Sequence, residues 1–151
     1  MKLCSILIVE DHPFQLMFLQ NLFSELGDFH LECARDGRSA LACLQRQNYD
    51  LVLTDLLMPG MDGVQFIQRL AALPSPPALA IMSTASRRML MAASLVARNL
   101  EVNVIGLISK PVRASALRDL INQFFKLRAA TPPAPLKDVN CQSLLDAFNH
   151  A

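Results

Sequence analysis

Five polar residues stand where the sequence turns abruptly from apolar to polar: the acidic pair Glu10 and Asp11, then Asp55, Thr84 and Lys110. Brought together, they are three carboxylates, a hydroxyl and an ammonium. Carboxylates packed side by side repel, and each raises the pKa of the others. A divalent cation relieves that cost. Mg²⁺ takes hard oxygen ligands in octahedral geometry and keeps several waters. A metal held this way can also bind the oxygens of an incoming phosphoryl group, whose transfer needs charge neutralisation and in-line positioning more than covalent help. In such a cluster Asp55 is the candidate nucleophile. Mg²⁺ and Lys110 would neutralise charge on the phosphoryl oxygens, and Thr84 would donate a hydrogen bond to one of them.

Taken singly, each residue has a plainer reading. Asp11 could cap the helix that Pro13 begins, and Thr84 could cap the next helix in the same way. Asp55 could be a turn residue, and Lys110 a surface lysine. Their joint placement argues against those readings, and it depends on the elements that carry them. The short apolar run Ser5–Val9 reads as a buried parallel strand that stops at Glu10. Phe14, Met17, Phe18, Leu22 and Leu26 follow at helical spacing, with Gly27 as the stop. Leu31 and Cys33 alternate with polar residues in a second strand. Asp36-Gly37 turns the chain into a helix carrying Ala40, Leu41 and Leu44. Tyr49–Thr54 is a third strand ending at Asp55. Met58-Pro59-Gly60-Met61-Asp62-Gly63 carries turn signals. Asp62 is the expected cap of a helix that buries Val64, Ile67 and Leu70. Ala78–Met82 is a fourth strand, ending at Ser83-Thr84. A helix over about 86–98 follows, then a fifth strand, Val104–Ser109, ending at Lys110-Pro111, and a last helix over about 114–127.

Five strands alternating with five helices predict an α/β fold: a doubly wound, five-stranded parallel sheet covered on both faces. Ligands in such folds bind beyond the carboxyl ends of the strands, at the switch in strand order. All five polar residues sit at carboxyl ends.

The stretches ILIVEDHP, LVLTDLLMPGMDG, IMSTAS and LISKP resemble the signature segments of response-regulator receiver domains, across roughly residues 3–127. The resemblance implies the flavodoxin-like receiver fold. It implies that Glu10 and Asp11 are the acidic pair holding Mg²⁺, with Asp11 the direct ligand. Asp55 would be phosphorylated, the backbone carbonyl of Leu57 would complete the metal site, and Thr84 and Lys110 would be the switch hydroxyl and the phosphoryl-binding lysine. A cis peptide before Pro111 is implied too. The expected partner is a sensor histidine kinase or a phosphotransfer protein, with self-association as a homodimer also in view. Two departures stand out. Leu107 occupies the position where many receivers carry Phe or Tyr, and the chain around Arg98–Asn103 is longer than in single-domain chemotaxis receivers. Both features resemble receivers attached to EAL-type cyclic di-GMP phosphodiesterase domains. An Asp-nucleophile phosphatase is the competing enzyme reading. It generally needs a second Asp two residues after the first as acid/base, and that position is Leu57. A pseudo-receiver that only binds a partner would normally have lost Asp55, Lys110 or the acidic pair.

Bulk composition agrees with one compact domain and some extra length. The 151 residues are 52% apolar and 18% charged, with net charge +1. That excludes a broad basic field for nucleic acid or for an anionic membrane. No apolar run approaches the roughly 18 residues of a membrane span, and the N-terminus lacks the longer apolar run and cleavage site of a signal peptide, so the cytoplasm is the expected location. Cys4, Cys33, Cys43 and Cys141 form no CxxC pair, and the expectation is four reduced thiols with three in the core. The expected organisation is a receiver domain over 1–128, a Pro-rich linker over 129–140 containing Pro132, Pro133 and Pro135, and a short helical tail over 141–151. Leu144, Leu145 and Phe148 give that tail one apolar face, read either as docking back on the receiver or as the front edge of a further effector domain.

Overall fold

The computed structural model describes residues 3–56, 61, 63–84 and 86–130. Their elements alternate throughout: β1 (Cys4–Val9), α1 (Pro13–Leu26), β2 (Phe29–Ala34), α2 (Gly37–Arg46), β3 (Leu51–Asp55), α3 (Gly63–Ala71), β4 (Ala78–Ser83), α4 (Arg87–Asn99), β5 (Val104–Ser109) and α5 (Ala114–Ala130). All five strands pair in parallel in a single sheet, in the order β2-β1-β3-β4-β5. The central strands β1, β3 and β4 are buried along nearly their whole length. That is why each reads as a continuous apolar run and not as an alternating one. The chain steps outward from β1 to β2, then crosses to β3 on the other side of β1. The reversal in strand order therefore falls between β1 and β3, at the ends of which stand Glu10 and Asp55.

The chain divides into two compact units, Met1–Arg118 and Asp119–Ala151. The first holds the sheet, α1 to α4, and all described candidate site residues. In the second, α5 continues with Leu120, Ile121 and Phe124 buried, and the Arg128 guanidinium lies 5.4 Å from the centre of the Phe124 ring.

Element bounds differ from the sequence expectation by a few residues. Tyr49 precedes β3 and is not part of it. The last helix runs past Leu127 to Ala130, taking in two residues assigned to the linker, because Ala is the strongest helix former. The remainder of the Pro-rich segment, the 141–151 tail with Cys141, and the expected Asp62 cap lie outside the described residues.

The structure chooses the inner face of α1 and corrects the buried face of α3. In α1 the buried residues are Leu19, Leu22 and Phe23, whereas Phe14, Met17 and Phe18 are exposed at 75%, 55% and 46%. This helix is apolar around most of its circumference, so periodicity alone cannot choose its inner face. In α3, Gly63, Phe66, Ile67 and Leu70 face inward, and Val64 is turned out. Close approach of Gly63 to Leu56 sets the phase of that helix. A Cβ at position 63 would lie 2.4 Å from Leu56 Cδ1 and 2.6 Å from the Leu56 carbonyl oxygen. The cysteines are less buried than expected: Cys43 is in the core, but Cys4 and Cys33 are only partly covered. Burial pushes the Cys33 thiol upward.

The segment around Arg98–Asn103 closes α4. The chain enters the left-handed region at Glu101 (φ 66°), and the Val102 N–H returns to the Ala97 carbonyl at 2.8 Å. This tight reversal leads directly into β5.

Tyr49 is the only tyrosine in the chain. Its hydroxyl donates to Glu32 Oε1 on β2, which also accepts from Gln47 Nε2 at 3.0 Å. Burial and this bond push the phenol well above its ordinary value. A folded pKa raised above the unfolded one means that the contribution is complete below about pH 10, the ordinary phenol value. It is lost as pH rises from there through the folded value. Stability should therefore fall on the alkaline side of pH 10, and Tyr49→Phe should remove that part of the slope. Urea unfolding at a series of alkaline pH values checks this. Equal slopes in the two proteins would refute it.

Candidate functional site

Backbone pairing continues one residue past the strands and fixes the base of the site. The Glu10 N–H donates to the Ala34 carbonyl, Leu56 N–H to Met82, and Lys110 N–H to Ser83, each at 3.0 Å. The registers Val9 with Thr54, Asp55 with Met82, and Ser83 with Ser109 align the strand ends. Glu10, Asp55 and Lys110 therefore leave the sheet on rigid backbone, which holds side chains more closely than a free loop would.

One oxygen from each of Glu10, Asp11 and Asp55 lies within 4.8 Å of the other two. Glu10 and Asp55 are buried, and Asp11 is half-buried. Lys110 Nζ is 2.6 Å from Glu10 Oε1 and 2.6 Å from Asp55 Oδ2, with its side chain only 6% exposed. Burial alone would depress the ammonium. The hydrogen bonds and charges of Asp55 and Glu10 outweigh it and hold Lys110 above the ordinary lysine value. The second Glu10 oxygen is also engaged, accepting the His12 backbone N–H at 3.1 Å. That donor is a backbone group and carries no residue-type signal in the sequence. The Lys110–Pro111 peptide is cis.

The plainer readings of two residues are not what the structure shows. The N-cap of α1 is His12, with Pro13 in the first turn, so Asp11 does not cap that helix. The N-cap of α4 is Ser86, whose hydroxyl accepts from the Met89 N–H at 3.2 Å, so Thr84 does not cap α4. Thr84 instead follows β4 directly and is exposed. Leu107 lies on β5 at 39% exposure. Leu57 lies outside the described residues.

The donor set fits a hard divalent cation. It is all oxygen, it carries net negative charge, and one oxygen from each of the three carboxylates lies within 4.8 Å of the others. Glu10 gives one oxygen to Lys110 Nζ and the other to the His12 N–H. Among the described residues no helix is long and apolar enough to cross a membrane.

Residues 6–122 match the response regulator receiver domain family. The chain is 32% identical over 128 residues to chemotaxis protein CheY-3 of Vibrio cholerae, covering 83% of this chain and 94% of that protein. It is 32% identical over 124 residues to chemotaxis protein CheY of Pseudomonas aeruginosa, covering 80% and 95%. The signal receiver domain of a signal transduction histidine kinase from Syntrophus aciditrophicus superposes with a TM-score of 0.70 at 28% identity, covering 86% of this chain and 94% of that one. With a five-stranded parallel sheet of this order and an acidic cluster closed by a lysine at its switch point, the chain belongs to the response regulator receiver domains of two-component signalling.

Proposed function

We propose that Asp55 is the phosphoacceptor, taking a phosphoryl group from a histidine kinase or phosphotransfer protein in a Mg²⁺-dependent reaction. The observation that carries this reading is Lys110 Nζ at 2.6 Å from both Glu10 and Asp55 beside a third carboxylate. An Asp55 oxygen attacks phosphorus in line. The bond from phosphorus to the donor's nitrogen or oxygen breaks as the acyl phosphate forms, and the leaving group departs with its electron pair. Asp11, Asp55 and the Leu57 carbonyl would hold Mg²⁺, with Glu10 behind them. The bound ion supplies charge neutralisation for the phosphoryl oxygens. Lys110 would add a second positive charge, and the Thr84 hydroxyl would donate to the phosphoryl group once it arrives.

The output follows from two departures within the family. Leu107 lacks a ring that could swing inward, so the change on phosphorylation passes through Thr84 and the α4–β5 segment. That pattern and the longer 98–103 segment support a cyclic di-GMP phosphodiesterase domain of EAL type as the effector, in a cytoplasmic protein. The test of the acceptor reading is intact-mass analysis after incubation with acetyl phosphate. One phosphoryl adduct should form with Mg²⁺ and be absent with excess chelator. Equal labelling in both conditions, or none in either, would overturn the proposal.

A further inference from the structure

Asp55 is the last residue of β3 and pairs with Met82 on β4. Its peptide link to Leu56 is held at both polar edges. The hydroxyl of Thr54, a buried residue, donates to the Asp55 carbonyl at 3.0 Å. The Leu56 N–H donates to the Met82 carbonyl at 3.0 Å. A peptide unit is planar, so fixing its two edges fixes the backbone on the carbonyl side of Asp55. Beyond that link, the Leu56 backbone rests against a bare α-carbon. A Cβ at position 63 would lie 2.6 Å from the Leu56 carbonyl oxygen and 3.2 Å from Leu56 Cα, whereas ordinary contact begins at 3.4 Å. Gly63 is buried at the start of α3. That helix has little room to withdraw, because Phe66, Ile67 and Leu70 are fully buried in the core.

We propose that Thr54 and Gly63 are positioning residues for Asp55. Together they fix the peptide that follows the nucleophile, and with it the direction in which the Asp55 carboxylate leaves the sheet. The inference rests on the reading of Asp55 as the phosphoacceptor. In-line attack depends on close placement of the reacting oxygen. Lys110 holds Asp55 Oδ2 at 2.6 Å, but its four-carbon stem is flexible and can follow the carboxylate. The backbone decides where the Asp55 Cβ points. Thr54 acts on that backbone through the bond its hydroxyl makes, and Gly63 acts through the side chain it lacks. A methyl group at position 63 meets a carbonyl oxygen and an α-carbon, which cannot rotate away as the end of a side chain can. Relieving the overlap therefore moves the Leu56 backbone, one residue from the nucleophile.

The rate of adduct formation with acetyl phosphate at saturating Mg²⁺, read by intact mass beside urea unfolding of the same samples, tests this. Thr54→Val keeps the shape of the side chain and removes its hydroxyl. Its rate should fall about fivefold, the worth of one neutral hydrogen bond. Thr54→Ser keeps the hydroxyl and loses a buried methyl group. It should be less stable than wild type yet react within about twofold of the wild-type rate. Gly63→Ala should lower the rate on the order of a hundredfold, the cost of moving a reacting group by about 1 Å. It should also weaken Mg²⁺ binding in titration calorimetry by about tenfold, the lower end of what groups supporting metal ligands contribute. Leu70→Ala loosens α3 from its far end and should leave the rate within about twofold. Rates that track stability across these variants, equal losses in Thr54→Val and Thr54→Ser, or a wild-type rate in Thr54→Val or Gly63→Ala overturn the proposal and leave the acceptor reading intact. An unfolded Gly63→Ala protein would make residue 63 a requirement of the fold and overturn its assignment to the site. A wild-type protein that gains no adduct overturns both readings, and that measurement comes first.

Discussion

Asp55→Asn should abolish the phosphoryl adduct. The amide has nearly the same shape as the carboxylate, but its lone pairs are delocalised and it cannot attack phosphorus. Removing a covalent nucleophile costs on the order of 10⁶ in rate where one is used, so no adduct should be visible on any practical timescale. The fold should survive, because Lys110 keeps its 2.6 Å partner Glu10 Oε1 and an Asn oxygen can still accept from Nζ. Intact mass after acetyl phosphate treatment, together with an unfolding curve, separates loss of chemistry from loss of structure. An adduct of undiminished yield in the folded variant would move the acceptor to another residue.

Lys110→Met should produce the largest change in stability. The methionine keeps the length of the side chain and removes its charge. Glu10 and Asp55, 1% and 8% exposed at the side chain, would then face each other and Asp11 with no cation between them. Deleting one member of a buried ion pair costs about 3–5 kcal/mol, chiefly because the other charge is left uncompensated. Two further outcomes follow from the same electrostatics. Added Mg²⁺ should raise the unfolding midpoint more in the variant than in the wild type, since binding to the folded state alone stabilises it. Its affinity for the variant should also be tighter, because the competing ammonium is gone. Urea unfolding with and without Mg²⁺ reads both. A variant as stable as wild type without metal would show that Lys110 does not hold the cluster together.

The order of elements and the identity of the site were written locally in the chain. Buried parallel strands announce themselves as branched apolar runs, and each ends on the polar group it presents: Glu10 after Val9, Asp55 after Thr54, Lys110 after Ser109. Parallel pairing then obliges those ends to lie on one edge of the sheet, so a one-dimensional pattern was enough to assemble a three-dimensional cluster. Three things were not local. The inner face of α1 could not be read, because nine of its fourteen residues, Pro13 included, are apolar and they offer more than one stripe. Which one turns inward, Leu19, Leu22 and Phe23 and not Phe14, Met17 and Phe18, is decided by the surface it meets. The outward turn of Val64 was likewise set by contact, since only a glycine lets α3 begin against the Leu56 backbone. The bonds from Tyr49 to Glu32 and from Lys110 to Glu10 join residues far apart in sequence, and no spacing rule relates them. Local periodicity and residue type specify which elements form and what chemistry they carry. Phase, burial and the partner of each polar atom depend on packing between elements, and only the tertiary structure decides them.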